Sequence, residues 1–280
     1  MSDYAALRAS GYENYMDNIN ARLLSEEMRL AGRVQSALLI DIPQPRTNGR
    51  FDWSGYNEPA RENGGDLMEI FETPAGALVA IIGDVMGKGL GAALIGAGMK
   101  LEFLRSFYLH GGDDRCIIAE LNRALYPKLK SFESYVTANL LRIDDQGRAL
   151  AFVNAGHLPA CLYSKRTGEI ITLDSDGLPI GILPGENYEP SVIACEPGDY
   201  ILMLTDGLTE IENAIGEMPG DQPFLDRFKA LAQQGKTPSD IVESLLHMSK
   251  NWHGHSHLTG DDRTILTKTN ICYLPSATDK

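Results

Sequence analysis

Hydrophobic and polar positions divide the chain into one long helical stretch followed by a series of short β-like runs interrupted by helices. From about Tyr12 to Leu39 the residues are rich in Glu, Arg, Leu, Met and Ala and contain no Pro, which predicts a single helix. Met16, Leu23, Leu30 and Ala37 fall seven apart, with Ile19 and Val34 nearby, while Glu26 and Arg33 interrupt the second seam position. This partial heptad fits a helix packed on the following domain and equally a dimerising coiled coil. Asp41-Ile42-Pro43-Gln44-Pro45 ends the helix, because Pro cannot continue it and biases its predecessor towards extended backbone.

Strands come next, at Phe51 to Pro59, Leu67 to Thr73 and Ala77 to Asp84. The last is an unbroken apolar run suited to a strand buried on both faces. Leu90 to Leu109 reads as a helix whose small residues, from Gly91 to Gly98, suit close packing on a sheet. Arg115 to Leu129 reads as a second helix, ended near Pro127. Tyr135–Ile143 and Ala149–Asn154 form a hairpin around Asp144-Asp145-Gln146-Gly147. Shorter strands follow at Ala160–Tyr163, Glu169–Leu173, Ser191–Cys195 and Tyr200–Thr205. Helices at Phe224–Gln233 and Pro238–Lys250 precede a closing strand, Thr264–Thr269. About ten strands with two helices mid-chain and two late predict an α+β fold of stacked antiparallel sheets with helices outside.

Charge and composition narrow the function. A net charge of −13 argues against a nucleic-acid partner, whose binding rests on Lys and Arg meeting phosphates. Cys116, Cys161, Cys195 and Cys272 are scattered singly in apolar surroundings, so they read as reduced thiols of a cytosolic protein. No run approaches the roughly 18 apolar residues of a membrane helix. The start, Met1-Ser2-Asp3-Tyr4, has no signal-peptide pattern. The expected location is the cytoplasm, as a whole protein or as the output domain of a longer, membrane-anchored parent.

Four acidic stretches carry the chemistry: Gly64-Gly65-Asp66, Gly83-Asp84-Val85-Met86-Gly87-Lys88-Gly89, Thr205-Asp206-Gly207 and Gly260-Asp261-Asp262-Arg263-Thr264. Each sets an Asp beside Gly at the end of a β-like run. Carboxylates gathered at one end of several strands can hold hard cations such as Mg²⁺ or Mn²⁺. No His and Cys cluster at zinc spacing competes with them. Taken singly, Asp84 fits a helix cap as well as a ligand, and Asp66 fits a solvated turn. The stretch around Lys88 is not a P-loop, since Gly89 stands where Ser or Thr is required.

The order GGD, GDV.GKG, TDG and DDRT resembles the bacterial stage-II-sporulation-E-like branch of the PP2C-type, metal-dependent Ser/Thr protein phosphatases, over about Ala31 to Thr269. Asn154-Ala155-Gly156-His157-Leu158-Pro159 and Gly177-Leu178-Pro179-Ile180-Gly181 resemble two further motifs of that branch. The resemblance implies an α-β-β-α sandwich with an N-terminal helical extension. It divides the chain into a regulatory helix over 1–45, a phosphatase domain over 46–272 and a tail over 273–280. Asp66, Asp84, Asp206 and Asp261, with the Val85 carbonyl, would hold two Mn²⁺ or Mg²⁺ ions. Arg61 would bind the phosphate, unless it forms a surface ion pair with Glu62 or Glu58. Asp261 aligns with the ligand of the closing motif and Asp262 with the residue that follows it.

The implied activity is hydrolysis of phosphoserine or phosphothreonine by metal-activated water attack. The implied substrate is a signalling partner such as an anti-anti-sigma-type protein. A degenerate binding module and a hydrolase of small phosphate esters are the alternatives. Two stretches depart from the pattern. Met86 stands where the eukaryotic branch carries a general-acid His, and Leu67-Met68-Glu69 replaces the aromatic residues and second Asp that often follow GGD. His157 reads as structural, and the run Asn251 to His257 as an exposed loop.

Overall fold

In the computed structural model, residues 2–39, 51–60, 63–110, 114–253 and 261–270 are described. In chain order they form helix α1 (Ser2–Leu39), strands β1 (Phe51–Glu58), β2 (Leu67–Glu72) and β3 (Leu78–Val85), and helices α2 (Leu90–His110) and α3 (Asp114–Ser131). There follow β4 (Val136–Ile143), β5 (Ala149–Ala155), β6 (Ala160–Ser164), β7 (Glu169–Leu173), β8 (Ser191–Ala194) and β9 (Tyr200–Leu204). A 3-10 turn (Asp206–Leu208), α4 (Gln222–Gln233), α5 (Pro238–His253) and β10 (Arg263–Asn270) complete the order.

The strands make two sheets of five, ordered β1-β10-β9-β6-β7 and β2-β3-β4-β5-β8. Every strand pair is antiparallel. Alternation along β3 shows how the layers stack. Leu78, Ala80 and Ile82 face the core between the two sheets, with Trp53, Phe152 and Leu266. Val79, Ile81 and Val85 face α2 and α3, against Met99, Phe103 and Ile117. A third core joins the other sheet to α4 and α5 through Phe224, Phe228 and Leu245. The result is the expected α-β-β-α sandwich, with β3 buried on both faces as its unbroken apolar run requires.

Several boundaries differ from the expectation, among them one each in helices α1, α3 and α5. Helix α1 begins at Ser2, well before Tyr12. Helix α3 passes through Pro127 to Ser131. The proline removes one backbone donor near the end of the helix, while Leu125 and Leu129 stay anchored in the core on either side of it. Helix α5 runs to His253, so Asn251-Trp252-His253 is helical, and the remainder of that His-rich run lies outside the described residues.

Helix α1 packs on α2 and on β2, the edge strand of its sheet. Gly32 is buried and Met28, Ala31 and Gln35 are half-buried, a spacing of three and four that defines one helix face. The heptad positions Met16, Leu23, Leu30 and Ala37 are all exposed. Helix α1 therefore does pack on the domain, but through a different face from the heptad. Among the described residues no helix is long and apolar enough to cross a membrane.

Candidate active site

The four aspartates arrive at one end of the sandwich, two from each sheet. Asp66 immediately precedes β2, and Asp84 is the penultimate residue of β3, where Leu67 pairs with Gly83. Asp206 follows β9 after Thr205, and Asp261 stands two residues before β10, where Ile265 pairs with Leu204. Antiparallel pairing sets the end of one strand beside the start of its neighbour. Positions almost 200 residues apart in sequence thus meet at one edge. Gly87 and Gly89 turn the chain from β3 into α2 at φ of +103° and +79°, a region that side chains with a Cβ disfavour.

Asp66 is buried and doubly anchored across the sheets. Its Oδ2 accepts from Thr205 Oγ1 at 2.8 Å and from Thr264 Oγ1 at 2.6 Å, and it also meets Asp84. Burial, then the neighbouring Asp84 charge, hold the Asp66 carboxyl well above the usual carboxylate range. Asp84 is pushed up to about 7 by burial and then by Asp206, Asp261 and Asp262. Asp206 is raised by burial and by Asp261. Nearby carboxylates that raise one another in this way are strongly drawn to a cation.

Asp261 and Asp262 are adjacent and do different work. Asp262 is buried, its Oδ1 accepting from the Ala60 amide at 2.7 Å and its Oδ2 from the amides of Gly65 and Asp66, the latter at 3.4 Å. It braces the loop that carries Asp66. Asp261 is half-exposed, and its Oδ2 lies 2.9 Å from Lys88 Nζ. As the side chains stand, no three Asp, Glu, His or Cys groups among the described residues close on a point at metal-ligand distance. Asp261 is turned to Lys88, and Asp66 to its threonines.

The donor set nevertheless suits a hard cation. It is all oxygen, strongly acidic, and already answered at Asp261 by an ammonium group. A Cβ at Gly65 would come within 2.9 Å of the Val85 carbonyl oxygen, so glycine there leaves that oxygen uncrowded. Val85 itself is buried in the core beneath α2. Arg61 lies outside the described residues. Of the ion-pair partners considered for it, Glu58 is engaged by Arg263, with Nη2 and Oε2 at 2.6 Å.

The description "Stage II sporulation protein E (SpoIIE)" belongs to a family model that matches residues 74–269. The chain belongs to the SpoIIE family. Asp84, Asp206 and Asp261 lie within the matched residues, and the loop bearing Asp66 lies just ahead of them. The chain is similar to the phosphoserine phosphatase RsbU of Bacillus subtilis, at 26% identity over 230 residues, 80% of this chain and 66% of that protein. It therefore spans just under two thirds of that relative's length. Among solved structures, the SiaA-PP2C domain of Pseudomonas aeruginosa matches with a TM-score of 0.77 at 23% identity, covering 89% of this chain and 98% of that one. RsbX in complex with magnesium matches with a TM-score of 0.60 at 18% identity, covering 81% and 98%. These two likenesses are of fold.

Other residues of this SpoIIE-family chain acquire roles that the sequence had left open. His157 ties the sheets together, with Nδ1 2.8 Å from Thr137 Oγ1 and Nε2 3.1 Å from the Leu204 carbonyl. The carbonyl contact requires the proton on Nε2, so Nδ1 accepts from the threonine. Burial lowers its pKa to about 4, and both ring nitrogens are engaged, which fits the structural reading. Glu69 pairs with Lys100 of α2 at 2.7 Å, both largely buried, and so fastens β2 to α2. Thr205, Thr264 and Lys88 were not foreseen as site residues. The only signal was that Thr205 and Thr264 belong to the TDG and DDRT stretches themselves. An apolar cavity of about 690 Å³ opens beside the 86–88 loop, between α2 and α3, lined by Met86, Leu94, Ile95, Leu125 and Phe132, with Lys88 and Lys128 among its polar residues. Gly91 and Gly98 line this cavity, while Gly96 faces the Gly65 backbone, so only part of the small-residue stripe serves close packing.

Proposed function

We propose that this chain is a metal-dependent protein serine/threonine phosphatase. The observation that carries the reading is the gathering of Asp66, Asp84, Asp206 and Asp261 at one end of the sandwich, with Asp84 raised to about 7 largely by burial and by its acidic neighbours. These side chains, with the Val85 carbonyl, would hold two Mn²⁺ or Mg²⁺ ions. Such ions supply Lewis-acid charge to the phosphoryl group and lower the pKa of water. The protein's own part is positional. Thr205 and Thr264 fix Asp66, Asp262 braces its loop, and Lys88 brings a positive charge to the edge of the cluster. His157 is not the proton donor to the leaving group, because both ring nitrogens are already engaged.

A phosphorylated protein is favoured over a small ester by the cavity beside the 86–88 loop. A phosphoserine brought to the aspartates would place its flanking apolar residues there, near Lys88 and Lys128. Arg61, five residues before Asp66, is the proposed phosphate contact. A bacterial partner of anti-anti-sigma type suits the similarity to RsbU, and the exposed heptad of α1 suits a homodimer.

Turnover of a phosphoserine protein and of p-nitrophenyl phosphate, with and without Mn²⁺, tests the reading. Mn²⁺-dependent turnover that prefers the protein is expected. Leu94→Arg, at an exposed position, is expected to raise KM for the protein several-fold and leave the small ester unchanged. Metal-independent turnover or none would refute the assignment. Equal preference would favour the small-ester alternative.

A further inference from the structure

Asp206 leads directly into a loop that closes on itself. The Glu210 amide donates to the Asp206 carbonyl at 2.7 Å, and the Gly220 amide to the Thr209 carbonyl at 3.0 Å, so both ends of the 209–220 loop are held next to Asp206. Asn213 organises the interior. Its amide donates to the Glu217 carbonyl and its carbonyl accepts from the Gly216 amide, both at 3.0 Å. Its side-chain Oδ1 accepts from the amides of Ile215 and Glu217, each at 3.0 Å. Trp252 of α5 donates from Nε1 to the same Glu217 carbonyl at 3.0 Å and pins the loop to the helix layer. A segment bonded in this way is shaped before any partner arrives, which lowers the ordering cost of binding.

This rigid loop displays apolar side chains. Thr209 and Ile211 are buried at its base, whereas Ile215 is 77% and Met218 51% exposed. Glu210, Glu212 and Glu217 are exposed around them. A partner that covers Ile215 and Met218 therefore meets carboxylates and is favoured if it brings cationic side chains. Asp206 follows a strand of the sheet packed on α4 and α5, while the apolar cavity near Lys88 lies between α2 and α3 on the other outer layer.

We propose that the 209–220 loop docks the phosphoprotein substrate, with Ile215, Met218 and Glu217 selecting segments that carry apolar and basic residues on one side of the phosphoserine. The inference rests on the proposed phosphatase reading and deepens it. The cavity lined by Lys88 and Lys128 receives the other flank, so the two ends of the site differ in charge. A bound segment then lies across the aspartates in one direction only.

The test uses three synthetic phosphoserine peptides and the whole chain with Mn²⁺, with p-nitrophenyl phosphate as the reference substrate. One peptide carries leucine and lysines before the phosphoserine, one carries them after it, and the third has alanine and glutamates on both sides. One of the two basic peptides is expected to exceed the acidic one about tenfold in kcat/KM. Ile215→Ser should lower the ratio of that peptide to the small ester about fivefold, through KM. Asn213→Ala, which loosens the loop with Ile215 intact, should lower it as well, and Glu217→Lys should shift the preference towards the acidic peptide. Val192→Ser, at an exposed position of the edge strand β8 in the other sheet, should match the wild type. Equal kcat/KM for all three peptides would overturn the inference. So would an unchanged ratio in Ile215→Ser, or a loss there that falls equally on peptide and small ester. If neither peptides nor small ester are hydrolysed, the phosphatase reading fails and takes the docking surface with it, an outcome distinct from hydrolysis without discrimination.

Discussion

Lys88 Nζ lies 2.9 Å from Asp261 Oδ2, so the loop leaving β3 carries its own cation to the edge of the aspartate cluster. Both side chains are about two-fifths exposed, at 43% and 41%, which makes the pair weak in water. A divalent ion at Asp261 would have to displace this ammonium or share the carboxylate with it. Lys88→Met is therefore expected to tighten Mn²⁺ binding by up to about fivefold, the equivalent of an exposed ion pair of at most about 1 kcal/mol. Calorimetric titration of both proteins checks it. Weaker binding in the variant would mean that Lys88 supports the ion rather than competing with it.

Asp84→Asn should abolish turnover and yet stabilise the metal-free protein. The Asp84 carboxyl is raised above its ordinary value, so the stability it contributes is present at low pH and lost as pH rises through about 7. The metal-free wild type should melt lower at pH 8 than at pH 6, and Asp84→Asn should flatten that slope. Mn²⁺ should raise the melting temperature of the wild type and not of the variant. Melting curves at the two pH values, with and without Mn²⁺, decide the matter. A variant that still gains stability from Mn²⁺ would remove Asp84 from the metal site.

Asp261→Asn and Asp262→Ala should fail for opposite reasons. Asp261 makes its one described ion pair at the surface, so its loss should spare the melting temperature and weaken Mn²⁺ binding. Asp262 accepts backbone amides from Ala60, Gly65 and Asp66, and its removal leaves buried donors unpaired. A cost on the order of 3 kcal/mol in stability is expected for Asp262→Ala, with metal affinity falling as a consequence. Denaturant midpoints measured beside Mn²⁺ titrations separate the two. The reverse pattern would exchange the roles assigned to these neighbours.

Much of this architecture was legible because each strand announces itself locally. The run Leu78–Val85 is apolar at nearly every position, and Asp84 and Asp206 stand beside glycine at the ends of such runs, while Asp66 and Asp261 stand beside glycine just ahead of β2 and β10. Local pattern also located α2, α3, α4 and α5 to within a few residues. What stayed hidden depends on contacts distant in sequence. Nothing near Asp262 says that its carboxylate braces a loop almost 200 residues earlier. The face by which α1 packs was misjudged for a related reason. Periodicity marks apolar positions, but the buried contact centres on Gly32 and leaves the heptad leucines exposed.

The tie between the sheets at His157 predicts an acid sensitivity distinct from the aspartates. Its imidazole is buried and neutral, donating from Nε2 to the Leu204 carbonyl and accepting at Nδ1 from Thr137. Protonation would put a second donor against the threonine and a charge into the core. The folded-state pKa, lowered from 6.5 to about 4 by burial, means that the unfolded chain binds this proton more readily. Stability from this group is therefore complete above about pH 6.5 and declines as pH falls, by about 3 kcal/mol at pH 4. His157→Gln, which has no proton to gain, should be less stable than wild type at pH 7.5 because it loses the ring's fit. Its stability should nevertheless fall less steeply between pH 6.5 and 4.5. Urea midpoints across that interval give the two slopes. Parallel slopes would mean that His157 is already protonated in the fold, and that the bond to the Leu204 carbonyl holds an imidazolium.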